Sequence, residues 1–444
     1  MKWPRSTRIF LFFAALIVIG LTASYAHRAG DFAGYLIVGD LGLAGRDIYR
    51  DAPPGLNNWP PFFGLVCVPL ALIARLSPIG SRVVWLVLNW VALVYALAAS
   101  IRLVYDRRLT LAGVSRESDA GIDIASGAAL LPLLLSVRWS LSNFEHLQVN
   151  IIILALVLAG LVCHRAGRDV RAGLLIGAAA ALKVMPVVFV PYFVWRRQWR
   201  PAFFTTIAAV GWSLLPLVFY GPKGFADQFS HWLDFIRRGQ GVGAMNVSVQ
   251  AMVDRIIGHG IVPFTVPGID NIAPSGSPVV RWVMVGALAL VAALAGWRFR
   301  GRYDPRSRSA VAEWSIVLLV AVIFSPLTWK YYLVVLLLPM TLFVATWRDP
   351  GVDPRFRRRL RSLTWLSFAV GMAAANVLVG DSLARRLEMS SFPTMMSLII
   401  LGTLYWYRAR VGGRSATAPR PELLRYAQDS SRSLGEASKT AGSP

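Results

Sequence analysis

The chain has 444 residues, 56% of them hydrophobic, with a mean hydropathy of +0.54 and a formal net charge of +23. Apolar runs of bilayer-spanning length recur from end to end, which excludes a soluble globular domain and a β-barrel of alternating segments and predicts an all-α polytopic membrane protein. The Arg residues fall mostly in short connectors between those runs, the pattern of cytoplasmic loops rather than of a nucleic-acid-binding stripe.

The N-terminus, MKWPRSTR, is basic, and the run from Ile9 to Ala26 is just long enough to span. Ser24-Tyr25-Ala26 resembles a signal-peptidase site, but the polytopic remainder favours an uncleaved signal-anchor with the N-terminus inside. Asp31 then emerges outside, at the head of DFAGYLIVGDLGLAGRDIYRDAPPGLNNWPP, residues 31–61. This stretch carries Asp31, Asp40, Asp47 and Asp51 with Tyr35, Tyr49 and Trp59, too many polar groups for the hydrocarbon core. It reads either as an active-site loop over 27–60, with Asp31 as a base, or as an ordinary outer loop of solvated and capping acids.

Further runs follow from Pro61 to Leu76, Val83 to Tyr105, Ile122 to Val137, Ile151 to Cys163 and Ala172 to Trp195, the last interrupted by Lys183 and Pro186. If each crosses once, the connectors at Arg107/Arg108 and at Arg165/Arg168/Arg171 fall outside, against the charge rule; splitting the last run at Lys183 relieves one and disturbs another. After RRQWR, the run from Phe203 to Tyr220 leads to a second outer polar region over 221–278. Val279 to Trp297 returns to a connector with Arg298, Arg300, Arg302, Arg306 and Arg308. Two more pairs of runs follow, Val311–Phe324 with Tyr331–Thr346 and Leu363–Val379 with Pro393–Tyr407. The expectation is about eleven to thirteen spans with both termini inside, a membrane domain over 1–407 and a disordered basic cytoplasmic tail over 408–444.

Polar residues within or beside apolar runs are costly and therefore informative. Asp31 and Tyr35 form one cluster; His146, Gln148 and Asn150 a second; Lys183 before Pro186 a third; Trp329 and Lys330 within SPLTWKYY a fourth; Asn246, Ser248 and Arg255 a fifth. Each has a plainer explanation: Lys183 fits a snorkelling lysine, Lys330 and Arg255 membrane-edge anchors, and His146 a helix-end residue. Taken together, one carboxylate with several cations and amides suits a reaction with an anionic leaving group, as in glycosyl transfer from a lipid-phosphate sugar. The expected partners are that donor and a lipid or glycan acceptor. Cys67 and Cys163 lie apart in apolar runs, and His27, His146, His164, His231 and His259 show no HxxxH or HExxH spacing, so neither a metal nor another cofactor is indicated. There is no DxD pair of the metal-dependent kind.

DFAGYLIVGDLGLAGRDIY before the Pro-Pro at 60–61, NFEHLQVN, GLLIGAAAALKVMPVVFVPYFVWRRQWR, NVSVQAMVDR and SPLTWKYYLVVLLLP together resemble glycosyltransferase family 87, the DUF2029 group of the GT-C superfamily. The resemblance implies a GT-C-like bundle in the plasma (inner) membrane, with the active site on the outer side. It also implies a polyprenyl-phosphate-dependent hexosyltransferase, the group including polyprenyl-phosphate-mannose-dependent α-1,2-mannosyltransferases, with Asp31 as the catalytic base. Donor-phosphate and substrate contacts are expected from Lys183, Arg255, Lys330, His146, Gln148, Asn150, Tyr35, Asn246 and Trp329. The chain departs from the family pattern at Leu147, where Gly-Gln-x-Asn is common, and at Lys330, Tyr331 and Tyr332, where an acid and a His often follow the Trp. The alternative is a transporter or flippase of lipid-linked sugars, which explains the spans and cations but not a carboxylate loop after the first span.

Overall fold

The computed structural model describes residues 5–53, 57–111, 121–237 and 241–411. Those residues form a helical bundle whose strand content is one two-residue parallel pair, Leu109–Thr110 with Ile122–Asp123. The first helix, α1 (Arg5–Ala26), turns Ile9, Phe12, Phe13 and Ile17 outward, as a helix surrounded by lipid would. Trp90 holds it to the bundle by donating from Nε1 to Thr22 Oγ1 at 3.0 Å.

The stretch expected to be a loop contains a second helix, α2 (Phe32–Leu43), because FAGYLIVGDLGL has only one charged residue and no interior breaker beyond glycine. It lies tightly on α3 (Pro61–Leu76): a Cβ on Gly39 would fall 2.5 Å from the Cys67 carbonyl oxygen, so only glycine permits this approach. The long α4 (Pro78–Tyr105) starts where Ser77 Oγ accepts from the Gly80 amide. The run expected to end at Val137 continues as α5 (Gly127–Glu145), carrying RWSLSNFE as helix, and α6 (Asn150–Arg165) follows after a four-residue turn. The run with Lys183 is broken as its sequence suggests: α7 (Asp169–Leu182) stops, Lys183 is extended at φ −157°, and a tight turn leads into α8 (Phe189–Trp195).

Two later segments are bent. α9 (Trp199–Leu214) meets α10 (Pro216–Arg237) at 75°, and α15 (Pro354–Ala373) meets α16 (Asn376–Met389) at 74°. The region expected as an outer loop over 221–278 therefore holds most of α10, together with α11 (Val249–Val253) and a wide turn over Asp254–Gly258. α12 (Pro278–Arg298) is almost bare of protein contacts, whereas α13 (Arg308–Ile323) and α14 (Leu337–Arg348) form the centre, with Trp314, Leu319, Leu338 and Leu342 fully enclosed. The final helix, α17 (Phe392–Val411), extends beyond the expected start of the tail; Arg408 is a buried helical residue, and residues 412–444 lie outside the described ones.

Among the described residues, four helical segments are long and apolar enough to cross a bilayer, and the two bent pairs raise this to six. Phe32–Leu43, Pro61–Leu76, Asn150–Arg165 and Met185–Trp195 are apolar but shorter. The expected eleven to thirteen spans treat each such run as one full crossing, and the breaks divide them differently. The chain is a multi-pass, all-α membrane protein.

Candidate active site

Asp31 reaches its position through a turn that only glycine makes easily. Gly30 has φ +49°, and a Cβ there would sit 3.2 Å from the His146 carbonyl oxygen. Asp31 flanks the start of α2, yet its carboxylate does not cap that helix. Its Oδ2 instead accepts from Gln148 Nε2 and, at 3.1 Å, from the Tyr331 hydroxyl. These partners are 117 and 300 positions away in sequence.

Gln148 is itself fixed. Tyr35 donates to its Oε1 at 3.3 Å, which orients the amide with its NH₂ toward Asp31. Tyr35 is fully buried among Phe32, Trp59, Phe63 and Trp85, with ring centroids 4.7–5.7 Å away in edge-to-face geometry. Such pairs contribute about 0.5–1.5 kcal/mol each beyond their burial. The turn before Gln148 puts Leu147 at φ +50°, the left-handed region that favours glycine, and glycine is what the resemblance leads one to expect there. Two bonds hold the strained turn: Trp85 Nε1 donates to the Leu147 carbonyl at 2.7 Å, and Asn143 Nδ2 to the Gln148 carbonyl at 3.0 Å.

From Asn143 a polar thread runs inward. Asn150 Nδ2 approaches Asn143 Oδ1 at 3.5 Å, and Lys183 Nζ donates to Asn150 Oδ1 at 2.8 Å while lying 3.2 Å from the centroid of the Tyr332 ring. The break after α7 is what allows this: an extended Lys183 points its side chain off the helix end into the bundle. Lys183 is 9% exposed, and Asn150 and Tyr332 are both neutral; the carboxylate that acts on it electrostatically is Asp31.

A cavity of about 200 Å³ opens against Asp31. Its wall includes Asn58, Trp59, Gln148, Trp329 and Tyr331, so a carboxylate and two amides face two indoles. Trp329 and Tyr331 stack with centroids 6.2 Å apart and planes 12° apart. Behind Tyr332 a narrow apolar cleft continues between α6, α8 and α13, bordered by Asn150, Leu154, Met185, Phe189 and Val322.

The structure therefore brings Asp31, Tyr35, Gln148, Asn150, Lys183 and Trp329 together. His146 stands close by, with Nδ1 2.9 Å from the Ser142 carbonyl and its ring 5.3 Å from Tyr331. Three other expected residues have different surroundings. Arg255 is 1% exposed and spends its guanidinium on the carbonyls of Val242, Gly243 and Asn246 and on Ser391 Oγ, at 2.7–3.0 Å. Burial lowers its pKa to about 10, with Asp254 pulling the other way. Asn246 ties the same loop to the SPLTW segment, donating to the Gly241 and Pro326 carbonyls and accepting from the Ser248 and Thr328 amides. Lys330 pairs with Glu388 at 2.9 Å, and Arg138 shares that carboxylate at 3.0 Å.

Asn58, Trp59, Trp85, Asn89 and Tyr331 are the residues of the site that sequence reasoning did not select. Tyr331 and Trp59 stood inside quoted motifs, but an aromatic in an apolar run gives no signal of its own. Asn89, which accepts from Asn143 Nδ2 at 3.1 Å, is a polar residue in the middle of α4 and was legible by the same rule that found Lys183. Among the described residues, no three His, Cys, Asp or Glu side chains converge as a metal-holding group.

The model of Glycosyltransferase family 87 matches residues 58–326, more than half of the chain. The matched span contains Gln148, Asn150 and Lys183 and leaves out Asp31 and Trp329–Tyr332. The chain is 25% identical over 315 residues to a polyprenol-phosphate-mannose-dependent alpha-(1-2)-phosphatidylinositol mannoside mannosyltransferase of Mycolicibacterium smegmatis, covering 68% of this chain and 66% of the relative. It is 27% identical over 332 residues to a polyprenol-phosphate-mannose-dependent alpha-(1-2)-phosphatidylinositol pentamannoside mannosyltransferase of Mycobacterium tuberculosis, covering 73% and 66%. The chain thus spans 66% of the length of each of these relatives. No solved structure matches.

Proposed function

The chain belongs to glycosyltransferase family 87, and from that premise we propose that it transfers a hexose, mannose first among candidates, from a polyprenyl-phosphate carrier to a hydroxyl of a lipid or glycan acceptor on the outer face of the membrane. The observation that carries the reading is the Asp31 carboxylate, held by Gln148 and Tyr331 at the wall of a cavity flanked by Trp59 and Trp329. Indole faces suit the apolar faces of a sugar ring, and the carboxylate suits a hydroxyl that must lose its proton.

In this mechanism Asp31 takes the proton of the acceptor hydroxyl as its oxygen attacks the anomeric carbon. The bond from that carbon to the phosphate oxygen breaks, and its electron pair leaves with the polyprenyl phosphate. Lys183 is the cation placed to meet the charge that develops there. The small apolar cleft beside Asn150 and Tyr332 lines the neighbouring interior with Leu154, Met185, Phe189 and Val322. Arg255 and Asn246 act here as scaffold for the loop over the site, and Lys330 works through Glu388. The similarity to mannosyltransferases that act on phosphatidylinositol mannosides supports an acceptor of that class. The match to a glycosyltransferase family favours this reading over a transporter of lipid-linked sugars.

The test uses purified full-length protein in detergent or nanodiscs with a panel of polyprenyl-phosphate sugars and a mannosylated phosphoinositide acceptor. Release of polyprenyl phosphate in proportion to glycosylated product is expected, and Asp31→Asn should lower the rate about 10²–10⁴-fold without loss of expression. Binding of the donor with no release on any acceptor of the panel, or full activity in Asp31→Asn, would count against the reading.

A further inference from the structure

We propose that Tyr331 is a positioning residue which, together with Gln148, occupies one oxygen of Asp31 and so reserves the other, Oδ1, for the acceptor's proton. This inference rests on the reading of Asp31 as the base. Both hydrogen bonds to the carboxylate fall on Oδ2, from Gln148 Nε2 and from the Tyr331 hydroxyl at 3.1 Å, and among the described residues no donor reaches Oδ1. Neither donor is free to wander. Gln148 is 2% exposed and its amide is set by Tyr35. Tyr331 is 5% exposed and its ring sits among those of His146, Trp329 and Tyr332, at 5.3, 6.2 and 5.4 Å.

Two donors on one oxygen fix the carboxyl plane, because tilting the group out of that plane would weaken both bonds, and a full half-turn only exchanges equivalent oxygens. A base held this way presents the same lone pairs at every turnover, and its partners need no rearrangement as the proton arrives. The proton passes from the acceptor hydroxyl to Oδ1, the acceptor oxygen bonds to the anomeric carbon, and the electron pair of the breaking bond departs on the phosphate beside Lys183. The two neighbouring hydroxyls have different tasks: that of Tyr35 orients Gln148, and that of Tyr331 touches the base itself.

Tyr331→Phe keeps the ring and its packing on Trp329 and removes only the hydroxyl, so it is the variant to measure. The expected result is a kcat about tenfold lower or more, the size of loss seen when an orienting partner is removed, with KM for donor and acceptor unchanged and normal thermal stability. The double variant Asp31→Asn/Tyr331→Phe should be no slower than Asp31→Asn alone, since the hydroxyl acts through the carboxylate. A fully active Tyr331→Phe, a raised KM at unchanged kcat, or an added loss in the double variant would each overturn the proposal while leaving Asp31 as the base. Retained activity in Asp31→Asn alone is a different result, and it would remove the base reading and this inference together.

Discussion

Lys183 lies where a lone ammonium is hard to keep. Asn150 Oδ1 and the face of Tyr332 are dipoles, not charges, and neither equals the hydration the group gives up. The Asp31 carboxylate acts on it only from beyond these contacts, and a phosphate bound beside it would supply a negative charge in direct contact. Lys183→Met should therefore raise the dissociation constant of the polyprenyl-phosphate donor by about tenfold or more, consistent with a charge-assisted bond of 1.5–3 kcal/mol, while acceptor binding stays the same. Isothermal titration with non-hydrolysable donor would check this, and unchanged donor affinity would return Lys183 to a structural role. The rule that exposed Lys183 in the sequence also selected Arg255, Asn246 and Lys330, and it could not separate them. A polar residue in an apolar context needs a partner, but the sequence does not say whether that partner is a ligand or the fold. For Arg255 it is three backbone carbonyls and Ser391, 136 positions away, and for Lys330 it is Glu388, 58 positions away. Asp31, Gln148 and Asn150 were legible because they sit at the ends of apolar runs where turns had to fall. Tyr331 was not, because its chemistry depends on one hydroxyl whose acceptor is 300 residues earlier.

At the scale of elements, α10 and α16 repeat one device. Each follows another helix after a bend, the two being long and apolar enough to span only as a pair, and each contains a glycine at positive φ, Gly221 (φ 68°, ψ 173°) and Gly380 (φ 77°, ψ 162°), where a side chain would be strained. Each also makes a side-chain contact with a segment beside the cavity. His231 of α10 meets Asp47 at 2.8 Å, in the stretch that leads to Trp59; Glu388 of α16 meets Lys330, next to Trp329 and Tyr331. The sequence hid these helices because their polar faces make them resemble loops, whereas the break at Lys183 and Pro186 was plain from an interrupted apolar run. The Asp47 tie carries a pH dependence. Burial raises its pKa, but the amides of Arg50 and Tyr49 and the side chain of His231 outweigh that and hold it below the ordinary aspartate range. A depressed folded pKa means that the stabilisation is complete above the ordinary value of about 3.9 and is lost as pH falls through the folded one. Protection factors for hydrogen exchange over residues 44–53, corrected for the intrinsic rate at each pH, should therefore fall on acidification below about pH 4. Asp47→Asn should exchange faster already at neutral pH and lose most of that dependence; a variant indistinguishable from the parent would mean that the tie does not hold the segment.

At the scale of the whole molecule, the chemistry and the heaviest buried charge lie at opposite ends of α13. Its last residue, Ile323, leads into the Trp329 segment, while Glu313 sits ten residues earlier in the same helix, about 15 Å away at 1.5 Å per residue. The all-α membrane class was legible at this scale, since backbone groups in hydrocarbon leave few alternatives; the number of crossings was not, because several apolar runs fold as helices shorter than a full span, among them Phe32–Leu43, Pro61–Leu76 and Asn150–Arg165. The orientation that follows from the basic N-terminal flank is testable by labelling: in a background without Cys67 and Cys163, Ala44→Cys should react with an impermeant maleimide from the outer face and Arg171→Cys only after permeabilisation, and the reverse pattern would invert the topology. Glu313 tests the separation of the two ends. Its Oε2 pairs with the Arg196 guanidinium, Nε lying 3.2 Å away, and accepts from the Tyr192 hydroxyl at 3.0 Å, while its Oε1 accepts from Arg408 Nε at 2.8 Å. Glu313, Arg196 and Arg408 are 1%, 9% and 4% exposed, so this one acid holds α8, α13 and α17 together in a dry site. Glu313→Ala would leave two guanidinium groups buried without their carboxylate, a loss of about 3–5 kcal/mol. Glu313→Gln keeps an acceptor of nearly the same shape and should lose less. Melting temperature in detergent should fall in that order, with turnover per folded molecule unchanged in both, because nothing in the cluster touches the Asp31 cavity. If either variant instead lost turnover at normal stability, the inner end would be coupled to the chemistry through α13, and the division of the molecule into a reactive end and a stabilising end would be wrong.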